Sequence, residues 1–174
     1  MSIRFLILFF LFGLVNIQVT KGQTKQEKVN YIKQVFTSIN CDTNLKKLTL
    51  DNEQFLDYTP DGGGSLTGHF KNKNILKITE WIGLSYGTIE IEYYFDKSQL
   101  IFAFAREKQF NLTDEGIDQS KLTLKFEGRY YFSNNKMIET RRTGTGIWDS
   151  GQDKSAELKE GATKFFKLIS SRVK

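Results

Sequence analysis

Three short stretches of the chain share one pattern. They are HFKNKNIL at 69–76, YYFDKSQLI at 93–101 and YYFSNNKMI at 130–138. In each, an aromatic residue or His precedes a Phe, four mostly polar residues follow, and apolar residues resume. A two-residue turn at the centre of the polar stretch makes each copy a β-hairpin corner, and the sequence on either side alternates as strands do. Three such corners within one segment commit the middle of the chain to antiparallel strands joined locally.

The second corner is the most explicit. Ile89, Ile91, Tyr93 and Phe95 alternate with Glu90, Glu92 and Tyr94. With Lys97-Ser98 as the turn, Phe95 is expected to face Leu100, Tyr93 to face Phe102, and Ile91 to face Phe104. A slip of one residue would divide this apolar set between the two sides of the sheet. In the third copy Asn134-Asn135 take the turn, where Asn tolerates a left-handed backbone. Its leading strand places Leu122, Leu124, Phe126, Tyr130 and Phe132 on one face, with Lys125, Glu127, Arg129 and Tyr131 on the other, and sets Glu127 opposite Arg142. The first copy, turning at Asn72-Lys73, fits less well. Pairing Phe70 with Ile75 puts Lys77 and Thr79 on the apolar side, and either a bulge or another turn length would repair it.

Residues 65–145 therefore read as six antiparallel strands, with NLTDEGIDQS at 111–120 as a polar link. A short strand or hairpin is expected around Leu48 and Leu50. Val29, Ile32, Phe36 and Ile39 form one amphipathic helical stripe, and Leu158, Ala162, Phe165, Ile169 and Val173 form another, with Gly161 a weak point in the second. The predicted fold is α+β: a meander packed against N-terminal and C-terminal helices as a two-layer domain, its apolar side turned toward both helices.

The N-terminus reads as a secretory signal over residues 1–22. Arg4 supplies charge, Phe5 to Val15 the apolar core, and Thr20 and Gly22 a small-residue cleavage site before Gln23. The expected location is secreted or periplasmic, with residues 23–174 a single domain and no transmembrane segment after cleavage. Without Arg4 and Lys21 the remaining chain carries 23 of the 25 basic residues against 20 acidic ones. That balance is too even for a nucleic-acid footprint. Cys41 is the only cysteine, so no internal disulfide or cysteine-rich zinc site is available, and it is expected to be a small buried hydrophobe.

The stretches TLDNEQFLDYTPDGGGSLTG, KITEWIGLSYG, EYYFDKSQLIFAFAREKQF and FEGRYYF resemble a family of small exported proteins found mainly in Bacteroidetes. The resemblance covers about residues 45–140. It implies export and a helix-flanked meander, and it implies no activity and no catalytic or binding residues. The Tyr-Phe corners are also similar to MORN-like hairpin repeats, a weak analogy with only three irregular copies.

Catalytic constellations fare poorly. Asp61, Ser65 and His69 are spaced like a triad, but on a strand Ser65 and His69 stand ~13 Å apart. DGGGS lacks the Lys-Ser/Thr of a phosphate-binding loop. Glu90 and Glu92 lie ~7 Å apart along one face, a spacing seen in inverting glycosidases and also on any solvated strand. No metal or cofactor is expected. The reading that remains is a non-enzymatic exported domain that binds a partner protein or small ligand on its sheet surface. The candidate binding residues are Tyr94, Ile101, Arg129 and Tyr131, large side chains beside the small Ala103 and Ala105. A secreted hydrolase of cell-wall or dietary polymers, and an envelope-associated structural or inhibitor protein, are the alternatives. Trp81 and Trp148 fit either core or shelf.

Overall fold

A computed structural model describes residues 23–114, 116–149 and 151–173. The expected export signal lies outside the described residues. Helix α1 spans Lys25–Cys41 and helix α2 spans Ser155–Arg172. Between them run β1 (Lys46–Asp51), β2 (Gly64–Lys71), β3 (Asn74–Leu84), β4 (Gly87–Asp96), β5 (Gln99–Thr113), β6 (Gly116–Ser133) and β7 (Lys136–Gly144). They form one seven-stranded antiparallel sheet in sequential order. The α+β class and the six strands after residue 64 are as the sequence implies, and β1 is the short strand expected near Leu48. No helix among the described residues is long and apolar enough to cross a membrane.

Each corner has the same construction. The turn pairs Asn72-Lys73, Lys97-Ser98 and Asn134-Asn135 all have φ between 48° and 66°. Two successive left-handed residues make the tight turn whose twist matches the flanking strands. Just beyond it, Phe70 pairs with Ile75, Phe95 with Leu100, and Phe132 with Met137. The register then shifts in all three hairpins, leaving Leu76, Ile101 and Ile138 without a partner. These are β-bulges, and each reverses which face the following residues occupy.

The bulge therefore repairs the first corner and overturns the simple register expected for the second. Phe102 pairs with Tyr94 and Phe104 with Glu92, while Tyr93 and Ile91 pair with Ala103 and Ala105. The aromatic residues are divided between two faces, and each face is packed by one helix. Tyr93, Phe95, Phe126, Tyr130 and Phe132 join Leu158, Ala162, Phe165 and Ile169 of α2. Tyr94, Phe102, Phe104 and Tyr131 join Val29, Ile32 and Ile39 of α1, with Leu76, Ile101 and Ile138 packed at that cluster's margin. Helix-on-sheet packing occurs once on each side, and the apolar residues do not all turn toward both helices.

Four further expectations change. The polar link at 111–120 is absent as a loop, because β5 runs to Thr113 and β6 resumes at Gly116. The register skips Lys125, where Phe126 pairs with Glu107 but Leu124 with Lys108. This separates Leu122 and Leu124 from the Phe126 face and leaves them exposed. Arg142 stands opposite Gly128 and binds Asp149 at 3.0 Å, while Glu127 binds Arg129 at 2.9 Å. Cys41 is exposed. It lies two residues past Ile39, about 200° around the helix from the buried stripe.

Helix α1 begins in a reciprocal cap between Thr24 and Glu27, which satisfies two otherwise free backbone donors. It crosses the sheet obliquely, near the three corners. Lys25 reaches Glu139 of β7 at 3.3 Å, Tyr31 donates to Asp96 at 2.7 Å, and Asn40 meets Tyr94 at 3.0 Å. The helix covers the corner end of its face and leaves the rest of that face to side chains alone.

Candidate functional site: an uncovered strip of the sheet

Cross-strand pairing places two rows of side chains on the α1 side beyond the helix. One row is Thr49, Thr67, Thr79, Glu92, Phe104, Arg129 and Arg141; the other is Ser65, Trp81, Glu90, Arg106, Glu127 and Thr143. Directly paired residues in adjacent strands share a face, so the topology alone assembles this strip. Thr49 and Thr67 join through their hydroxyls at 3.0 Å. Trp81 is half-buried, between Ser65 on β2 and Glu90 on β4.

The charges of the strip hold one another. Lys77 donates to Glu92 at 2.6 Å, and the Tyr94 hydroxyl donates to the other Glu92 oxygen at 2.7 Å. Arg106 pairs with Glu90 through Nη2 and approaches Glu92 at 3.6 Å. The Arg106 and Arg129 guanidinium groups lie 4.9 and 5.0 Å from the centre of the Phe104 ring, two cation–π contacts on one aromatic side chain. One atom is left out: Arg106 Nε is buried and has no hydrogen-bond partner. A buried donor without an acceptor costs ~1–3 kcal/mol.

The four residues expected to bind are only partly brought together. Tyr94 is sealed under α1, its hydroxyl held by Glu92 and Asn40. Burial and the adjacent Glu92 carboxylate raise its pKa above the ordinary phenol value. Ile101 is the bulge residue of the second corner and lines a depression with Tyr31 and Leu100 near the start of α1. Arg129 and Tyr131 do meet, in a groove of about 320 Å³ beside α1 that also includes Phe36, Phe102 and Arg141. Tyr131 is buried, and Arg129 is exposed where the groove joins the strip. Trp81 and Arg106 are the residues the sequence reading did not select for this site. Their signal was the parity of β3 and β5 on the far side of each bulge.

The catalytic constellations do not assemble. Glu90 and Glu92 are engaged by Arg106 and Lys77. His69 and Ser65 lie on the same strand with no bend between them, and His69 stands between Lys47 and Lys77 on the flanking strands. Burial first, then these two ammonium groups, depress His69 to about 4, so the imidazole is neutral at pH 7. The glycine segment is accounted for by packing. Gly62 donates to the Gly83 carbonyl at 3.0 Å, Gly83 donates back to Gly63 at 2.9 Å, and a Cβ on Gly62 would meet Gly83 at 2.8 Å. Among the described residues no group of three or more His, Cys, Asp or Glu side chains is placed to hold a metal ion.

No family model matches the chain, and neither a curated protein nor a solved structure is significantly similar to it.

Proposed function

We propose that the chain is an exported, non-catalytic binding domain whose ligand is a neutral, hydroxyl-rich molecule, a glycan, lying along the uncovered strip. The observation that carries this reading is the environment of Trp81. Its half-buried indole is set in a row between the Ser65 hydroxyl and the Glu90–Arg106 ion pair. A sugar ring presents C–H groups to an aromatic face and hydroxyls at its edge. The strip offers both kinds of contact at the spacing of adjacent strands, about 4.8 Å.

Charge argues for a neutral ligand. The strip and its border carry Glu90, Glu92, Glu127 and Glu139 against Lys77, Arg106, Arg129 and Arg141, in mutual ion pairs. Binding an ion there would break existing pairs, whereas a ligand hydroxyl can donate to carboxylate oxygens that retain free lone pairs. Secretion or transfer to the periplasm, expected from residues 1–22, would bring such a surface to cell-wall or dietary polysaccharide.

The test is a panel of neutral and charged oligosaccharides screened against the protein from residue 23 onward, with binders measured by calorimetry. Trp81→Ala is expected to weaken a binder at least tenfold, with Arg106→Lys intermediate. Binding confined to anionic glycans, or binding that is indifferent to Trp81→Ala in a folded variant, would overturn the proposal. Capture of a protein partner through the same strip would replace the glycan with a polypeptide.

A further inference from the structure

The geometry points to a second binding site on the opposite face, a cleft between α2 and strands β3–β4 that takes a small apolar amine. The cleft measures about 430 Å³ and is independent of the strip. Ile82, Leu84, Ile89 and Ile91 supply the sheet wall, with Trp148 and Tyr58 as aromatic walls. On the sheet side of this apolar lining are two polar groups, the Glu80 carboxyl and the Tyr93 hydroxyl, which donates to Glu80 Oε2 at 3.0 Å. No hydrogen bond to the second carboxylate oxygen is present among the described residues.

Gly161 explains part of how the cleft exists. It sits within the continuous α2 at a cost of ~1 kcal/mol relative to Ala, and a Cβ there would approach the Tyr93 hydroxyl to 2.8 Å. The helix can therefore pass directly over Tyr93 while leaving room beside Glu80. The charged groups facing Glu80 are Glu157, Glu160 and Lys164 of α2, and Glu157 already holds Lys154 at 2.7 Å. The Lys154 ammonium also stands 4.5 Å from the centre of the Trp148 ring. The cleft thus has an apolar body and a carboxylate at its base. Its aromatic wall already carries one ammonium group.

An apolar primary amine matches that arrangement. Its ammonium would pair with Glu80, which is otherwise pushed up to about 7, chiefly by burial, with Glu157 adding to the rise. Its hydrocarbon would lie against the isoleucines and Leu84. A hexanoate would place two carboxylates together, and hexanol would gain only the apolar contact. Binding must also expel a proton wherever Glu80 is protonated beforehand, because the ion pair needs the carboxylate.

Hexylamine, hexanol and hexanoate are the probes, followed by Trp148 fluorescence and by calorimetry in buffers of different ionisation enthalpy. Hexylamine is expected to bind at least tenfold more tightly than hexanol and to release protons as it binds near pH 7. Glu80→Gln should abolish the preference for the amine and the proton release while hexanol binding persists. Equal binding of the three probes by the unaltered protein would overturn the proposal even if Glu80→Gln failed to fold. A negative glycan screen leaves these outcomes unaffected, since the strip lies across the sheet.

Discussion

Two half-buried titratable groups on opposite faces should oppose each other in the pH dependence of stability. Glu80 is pushed up from 4.5 to about 7, first by burial. As pH rises above 4.5 the unfolded chain loses this proton while the folded chain keeps it, so folding weakens until about pH 7. His69 is pushed down from 6.5 to about 4, again first by burial. As pH falls below 6.5 the unfolded chain gains a proton that the folded chain refuses, so folding weakens until about pH 4. Between pH 4.5 and 6.5 the two slopes have opposite sign. Each has a ceiling of about 1.4 kcal/mol per pH unit. Both side chains retain some contact with water, which screens the effect to about 1–2 kcal/mol over the window.

The unaltered protein should therefore show nearly constant stability from pH 4.5 to 6.5, and single variants should expose the hidden slopes. Glu80→Gln leaves the His69 contribution, and stability should climb with pH by about 1–2 kcal/mol across the window. His69→Gln leaves the Glu80 contribution, and stability should fall by a similar amount. In urea these changes correspond to midpoint shifts of about 0.5–1 M. The carboxyls of Asp42, held by Lys71, and Glu139, held by Arg141, are depressed, so the stability they add is lost as pH falls through the acid range. Parallel pH profiles for Glu80→Gln and the unaltered protein would refute the reasoning, because they would mean Glu80 ionises alike in the folded and unfolded chains.

Two further outcomes test the architecture. Lys97 and Ser98 hold left-handed φ values of 48° and 63° with side chains that do not favour them, so replacing the pair with Asn-Gly should raise stability by about 0.5–1 kcal/mol in thermal unfolding. Glu107 is fully buried and accepts from the Ile147 and Trp148 backbone N–H groups at 3.1 and 2.9 Å and from Gln109 at 2.8 Å. Glu107→Gln turns an N–H donor toward an N–H donor and should cost about 2–3 kcal/mol, with a change in Trp148 fluorescence as the 145–149 segment loosens.

The corners were legible because turn chemistry is local. Asn in two of the three turns, and the matching offset from a Phe in all three, mark the two-residue corners without reference to anything distant. The bulges were not legible in the same way. Leu100-Ile101-Phe102 is apolar throughout, so both parities keep a large side chain on each face, and alternation cannot choose between them. Only the first copy signalled the problem, since Lys77 and Thr79 fell on the wrong side when no residue was skipped. Reading that misfit back into the other two copies would have divided Phe102 from Tyr93 and assigned one helix to each face.

The same one-residue shift decides which surface remains for binding. Without it, Phe102 and Phe104 would accompany Phe95, and the Tyr94 face would hold Tyr94, Ile101 and the alanines beside Arg129 and Tyr131, the shelf expected from sequence. With it, Phe102, Phe104 and Tyr131 make that face apolar enough to require a cover, and the α1 stripe of Val29, Ile32 and Ile39 supplies it. A helix of 17 residues spans about 25 Å, enough to cross from β7 to β3 but placed near the corners, where the three bulge residues widen the apolar area. Residues farther along the strands receive no helix and are left to satisfy one another, which accounts for the paired charges around Glu90, Glu92, Arg106 and Arg129. Deleting Ile101 should remove the bulge yet leave Leu100 opposite Phe95 and Phe102 opposite Tyr94, so each face keeps its aromatic residues and only the Ile101 side chain is lost from the margin of the α1 cluster. Such a variant should keep α1 docked, with amide exchange over residues 25–41 only modestly faster and exchange in α2 unchanged; loss of α1 protection altogether would refute the assigned register.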